Sequence, residues 1–180
     1  MSDGGLVPPV DESRDHIQGA MSAPVTLVEY GDYQCPYCGM AYPIVQALQR
    51  ALGDQLRFVF RNFPLTDSHP NAEHAAEVAE SAGAQGKFWE MHDMLYESQE
   101  QLEDPALIDY AEQLGLDRER VERELDEGTW AARVREDFRS GVRSGVNGTP
   151  TFFVNGVRYD EGWNEPERFL RALRAAAGGA

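Results

Sequence analysis

From Asn71 to Arg143 every apolar repeat in this chain has the spacing of a helix, while the segments on both sides have the spacing of strands. Phe88, Met91 and Leu95 share one helical face, as do Leu107, Tyr110, Ala111 and Leu114, then Val121 with Leu125, then Trp130, Val134 and Phe138. Gly83, Gly86, Gly115 and Gly128 punctuate this block, and Asp104-Pro105 and Asp117 supply helix starts, so four or five short helices are expected. Upstream, Val25 to Tyr30 is a β-branched run between Pro24 and Gly31 and reads as a buried strand. Leu56, Phe58 and Phe60 alternate with polar neighbours, the period-two pattern of a second strand. Between them, Pro36 to Leu52 predicts a helix with Met40, Ile44, Ala47, Leu48 and Ala51 as its apolar stripe and Pro43 as a kink. Strand, helix and strand in that order require a crossover and a parallel pair.

Downstream, Thr151 to Tyr159 carries Asn155-Gly156 between apolar runs, a hairpin signal because both residues tolerate the positive φ of a type I′ turn. A last helix begins near Glu165-Pro166, with Phe169, Leu170 and Leu173 on one side. The expected fold is an α/β sheet domain of residues 23–63 and 146–176, interrupted by an all-helical insertion of residues 64–145. An extended arm of residues 1–22 and a tail of residues 177–180 flank it. A net charge of -15 repels phosphate backbones and anionic lipid, which argues against nucleic-acid and membrane-surface partners. The N-terminal stretch MSDGGLVPPVDESRDH lacks the basic start and apolar run of a secretory signal, and no window approaches the roughly 18 apolar residues of a membrane span. A cytoplasmic monomer without membrane insertion is expected, the alternative being an exported mature domain whose signal has been removed.

Both cysteines of the chain lie in Gln34-Cys35-Pro36-Tyr37-Cys38. A close pair of this kind performs redox chemistry or binds metal more often than it staples a cytosolic fold. A structural zinc needs four ligands, and His16, His69, His74 and His92 offer no matching second pair, so no metal is expected. The histidines are assigned no role, and Asp15-His16 is too small a ligand set. Placed after a strand and at the opening of a helix, Cys35 faces backbone N–H groups that lack helical partners, and the helix dipole favours its thiolate. That makes Cys35 a nucleophile near neutral pH, and Cys38, one turn later on the same face, the thiol that resolves a mixed disulfide.

With these residues in place the chain resembles the thioredoxin superfamily, and within it the DsbA-like thiol-disulfide oxidoreductases, over nearly all of residues 23–176. The resemblance implies a thioredoxin fold, a mixed central sheet split by an inserted helical domain. It implies a cis proline before the third strand of that fold, facing the cysteines. Gly148-Thr149-Pro150-Thr151-Phe152 stands there, so Pro150 is the candidate and Thr149 the residue whose backbone would pair with substrate, with Pro36 and Tyr37 as further contacts. Pro43 matches the family's kink proline. Glu29, six residues before Cys35, matches a buried acid beneath the second cysteine that takes a proton from the resolving thiol; an outward glutamate paired with an arginine is the plainer reading.

Pro-Tyr replaces the Pro-His of the best-known DsbA pattern. Tyr37 brings no positive charge and Asp32 adds a negative one, so a couple less oxidising than DsbA is expected, between about -230 mV and about -120 mV. No cofactor is implied beyond the sulfur pair. Partners would be protein or small-thiol substrates, held as transient mixed disulfides, and a recycling redox protein. A holdase or redox sensor using a helical groove, and a glutaredoxin-like small-thiol reductase, are the alternatives. Phe88, Trp89, Met91, Trp130 and Phe138 are read as core, and Glu97 to Asp104 as a solvated helix end and loop.

Overall fold

The computed structural model describes residues 5–178; the first four residues of the expected arm and the last two of the expected tail lie outside the described residues. The element order is β1 (His16–Gly19), β2 (Val25–Gly31), α1 (Pro36–Leu52), a short 3-10 turn (Gly53–Gln55), β3 (Leu56–Asn62), α2 (Ala72–Ala84), α3 (Phe88–Glu97), α4 (Asp104–Gln113), α5 (Arg118–Glu127), α6 (Ala131–Arg143), β4 (Thr151–Val154), β5 (Val157–Tyr159) and α7 (Pro166–Ala176). Two compact units result. One holds Met1–Gly31, Met40–Arg61 and Ser140–Ala180, and the other holds Asp32–Gly39 and Asn62–Arg139. The second differs from the expected helical insertion in one way that concerns function: the cysteine segment groups with the helices.

The first unit is built on a mixed five-stranded sheet in the order β1-β3-β2-β4-β5. β2 is buried along nearly its whole length, as a central strand covered on both faces must be. β4 pairs antiparallel with β2, Glu29 opposite Phe152, and returns to β5 through Asn155 (φ 48°) and Gly156 (φ 81°), the left-handed pair that the hairpin signal requires. On α7, Phe169 is fully buried and stacks on Tyr159, ring centroids 4.6 Å apart, while meeting Phe152 edge-on at 5.1 Å.

The segment expected as an arm outside the fold contributes to it. His16–Gly19 pairs antiparallel with β3. Next to it, Asp15 accepts two bonds from the fully buried Arg61, at 2.8 and 2.9 Å. The remaining Arg61 donors go to the Pro8 and Pro9 carbonyls and to the Tyr30 hydroxyl. Local composition pointed to a loose arm because the feature that secures it, Arg61, lies 46 positions away in sequence.

The apolar stripe of α1 also differs in phase from the expected one. Cys38, Ala41, Val45, Leu48 and Leu52 are buried, whereas Met40 is 57 % exposed and Ala47 and Ala51 face outward. Two stripes of similar hydrophobicity compete on this helix. The one carrying Cys38, Val45 and Leu52 is the one that packing buries.

In the second unit α2 packs against α3, α4 and α5. Its buried Ala72, Ala75, Ala76, Ala79 and Ala82 let neighbouring helices approach closely. A polar knot lies within the same unit. Asn62 donates its backbone N–H to Asp137 Oδ2 (3.0 Å) and its amide to Glu80 (2.9 Å) and Asp137 (3.2 Å), and Arg133 donates to the other Asp137 oxygen. Burial pushes the Asp137 carboxyl up, against the opposing charge of Arg133.

Burial alone would raise the Asp15 carboxyl, but the Arg61 bonds, the Asp11 N–H and the charges of Arg61 and Arg14 outweigh it and hold the group below the usual range. Its folded value therefore lies below its unfolded one. The stability it contributes is fully present above about pH 3.9 and is lost as the pH falls through the lower folded value. Asp15→Ala leaves Arg61 buried without its carboxylate and is expected to cost about 3–5 kcal/mol in urea unfolding at pH 7. The difference from the native chain should shrink on acidification below pH 4, and a cost independent of pH would contradict this assignment.

Candidate active site

β2 ends at Gly31 and the chain turns at once into the cysteine segment. Its first residue organises the turn. Asp32 is 1 % exposed, and its Oδ1 accepts the N–H groups of Gln34 (2.7 Å) and Cys35 (3.1 Å). Both donors precede Pro36, the first residue of α1, so Asp32 closes an Asx turn that leads the chain into the helix. Its Oδ2 accepts the N–H of Leu65 (2.9 Å) and is bonded to His69 Nδ1 (2.8 Å). Asn71 N–H donates to Gln34 Oε1 at 2.8 Å, so three bonds hold residues 65–71 on the cysteine turn.

Neither cysteine is in a disulfide. Cys35 is 3 % exposed and Cys38 fully buried, and the backbone N–H of Asp32 reaches the Cys38 sulfur at 3.5 Å. Between them Pro36 is exposed and Tyr37 is 62 % exposed. Of the two, Cys35 keeps a small residual exposure and is followed by an exposed Pro-Tyr step, while Cys38 has none.

Two further residues complete the geometry. Gln99, between α3 and α4, donates its side-chain amide to the carbonyls of Tyr33 (2.8 Å) and Cys35 (3.0 Å). It lies so close to Gly39 that a Cβ there would collide with its amide oxygen. Tyr33 is buried, with its hydroxyl 3.0 Å from His92 Nδ1 and its ring against His92 and Tyr96. The stretch expected as a solvated loop therefore carries a clamp on the cysteine turn. His92, assigned no role from the sequence, is 4 % exposed in an aromatic cluster with Phe88 and Trp89.

The remaining expected site residues belong to the sheet unit. Glu29 is 2 % exposed in β2, not outward-facing. The Thr149-Pro150 peptide bond is cis, and Thr151, first residue of β4, donates its hydroxyl to Gly148 O at 2.7 Å. Among the described residues no group of three or more His, Cys, Asp or Glu side chains is arranged to hold a metal ion.

The sequence model of the thioredoxin family matches residues 11–175, and the chain belongs to that family. The fold is its DsbA-like form: α-DsbA1 of Wolbachia pipientis superposes with a TM-score of 0.80 over 96% of this chain and 94% of that one, at 19% identity. A thioredoxin-like oxidoreductase from Silicibacter pomeroyi, 27% identical, superposes with a TM-score of 0.78 over 100% of this chain and 99% of that one. In sequence, 171 residues are 49% identical to a protein of Salinispora arenicola named Na(+)/H(+) antiporter NhaA 1. The match covers 95% of this chain and 25% of that protein, so the chain spans about a quarter of the length of this relative.

Asp32 was legible as a turn former, an aspartate just after Gly31 and ahead of a helix start, beyond the charge it carries. Gln99 and His69 carry no local signal. Gly39→Ala is expected to cost about 1–3 kcal/mol in urea unfolding, because the methyl must displace the Gln99 amide from its two carbonyls. In a Gln99→Ala background the same change should cost well under half as much. Equal costs in both backgrounds would show that Gln99 does not clamp the turn.

Proposed function

We propose that the chain is a protein thiol-disulfide oxidoreductase working through Cys35 and Cys38. The observation that carries this reading is the pair itself: two thiols at the start of α1, next to an exposed Pro-Tyr step, in a chain of the thioredoxin family. In the reductive direction the Cys35 thiolate attacks a substrate disulfide. A Cys35–substrate bond forms, the substrate S–S bond breaks, and one substrate sulfur leaves as a thiolate that takes up a proton. Cys38, losing its proton, then attacks the Cys35 sulfur; the intramolecular disulfide forms and the second substrate sulfur leaves. Two electrons have passed from enzyme to substrate, and the oxidative direction reverses each step. The electrons are held in the S–S bond, so no further cofactor enters the scheme.

Glu29, buried in β2, takes the role of accepting the Cys38 proton, since a desolvated carboxylate is basic enough to do so. Thr149 presents its backbone ahead of β4 to an extended substrate with Pro150 beside it, and exposed Pro36 and Tyr37 supply contacts around the attacking sulfur. Proteins are the preferred substrates over small thiols. The working placement is the cytoplasm, as a monomer recycled by a second redox protein. There a glutathione pool poised at about -220 mV or lower favours reduction or isomerisation. A second reading follows from the relative's name: a domain of this kind occurs inside a chain about four times as long that is called a sodium/proton antiporter, which makes a membrane transporter a candidate partner.

Cys35→Ser is expected to abolish insulin reduction and Cys38→Ala to accumulate mixed disulfides at Cys35, read by mass after trapping in both soluble and membrane fractions. An antiporter among the trapped proteins would support the second reading, and its absence would count against it. Turnover surviving Cys35→Ser would refute the mechanism.

A further inference from the structure

We propose that Asp32 and His69 are a positioning pair that sets how much of Cys35 is thiolate. The inference rests on the disulfide-exchange reading and adds to it two residues that touch no substrate. An ionised carboxylate has about four lone-pair sites, and all four of Asp32's are used: Gln34 N–H and Cys35 N–H on Oδ1, Leu65 N–H and His69 on Oδ2. Three of these partners are backbone groups held by the fold. The fourth, His69, is a side chain that a substitution can remove.

The two members act on the sulfur in opposite senses. Asp32 places a negative charge on the Cys35 residue's own N–H and occupies a donor just ahead of the helix whose dipole would otherwise favour the thiolate, so it holds the sulfur protonated. With Asp32 ionised, the proton of the bond to His69 belongs to Nδ1, because the carboxylate can only accept. That bond draws charge to the far oxygen, Oδ2. His69 thus relieves the repulsion that Asp32 imposes. The side chain of Asp32 is fully buried and that of His69 is 19% exposed, so the bond sits in poorly solvated surroundings where such terms are not screened away.

Cys38 is served by a different part of the same residue, the Asp32 backbone N–H. That contact survives substitution of the side chain, so changes to the pair should act on Cys35 alone. His69 acts only through Asp32, and its effect should vanish when the carboxylate is gone.

The test is the rate of Cys35 alkylation by iodoacetamide at pH 7 in chains that carry Cys38→Ala, with folding checked by circular dichroism and urea unfolding. Asp32→Asn is expected to accelerate the reaction roughly tenfold and His69→Ala to slow it by a similar factor. His69→Gln, which retains a neutral donor, should fall between His69→Ala and the native residue. In the D32N background, His69→Ala should leave the rate unchanged. Rates that move the same way in both single variants, or a His69→Ala effect of equal size with and without the carboxylate, would overturn the proposal. If D32N does not fold, His69→Ala against His69→Gln decides it: slowing by the first and rescue by the second support the pair, and an unchanged rate in His69→Ala refutes it. Insulin reduction by the native chain, run alongside, separates the two claims. Its failure would refute disulfide exchange and leave the alkylation comparison standing.

Discussion

A buried strand that ends in the interior must hand its chain to the next element without stranding backbone donors, and at Gly31 that task falls to one carboxylate. Asp32 closes the turn into α1 with one oxygen and holds the 65–71 loop with the other. Without such an acceptor the N–H groups of Gln34 and Leu65 would lose their bonds, each at a cost of about 1–3 kcal/mol, and that of Cys35 would keep only the Asp32 carbonyl. The turn also decides how the sulfurs are presented. It leads into α1 at the phase that puts Cys38 on the buried stripe with Ala41, Val45, Leu48 and Leu52, with Cys35 at the mouth of the helix before the exposed Pro36 and Tyr37.

Other buried polar groups do comparable work elsewhere. In the sheet unit Arg61 ties Asp15, Pro8, Pro9 and Tyr30 into one network and brings the N-terminal residues into the fold. In the helical unit Asn62 meets Glu80 and Asp137 at the point where β3 ends. Each network costs desolvation; around Arg61 all five guanidinium donors find acceptors, whereas the Asn62 knot leaves the Asn62 Oδ1 without a partner. What they provide is a defined path for the segments that flank the strands, which apolar burial alone would leave loosely specified.

The order of strands and helices was legible because periodicity and turn chemistry are local: a β-branched run before Gly31, Asn155-Gly156 in the hairpin, helical spacing throughout the 72–143 region. The cysteine pair was legible from spacing and context. The phase of α1 was not, since its two apolar stripes are nearly equivalent and only packing chooses between them. Nor was the inclusion of the arm, the burial of His92, or the clamp by Gln99, all of which depend on partners 46 to 66 positions away. Long-range polar contacts leave no periodic trace, and that is where the reading of this site from sequence stopped.

The proposed chemistry rests on one couple, two thiols against one disulfide, which Tyr37 and Asp32 are expected to set away from the strongly oxidising end of the family. The most direct measurement equilibrates the native chain in glutathione buffers of graded ratio and reads the trapped species by intact mass. The account predicts a reversible conversion from dithiol to intramolecular disulfide without retained glutathione, with a midpoint between about -230 mV and about -120 mV. A chain that retains glutathione on one sulfur and never closes the pair, or a midpoint below that of thioredoxin at about -270 mV, would contradict it.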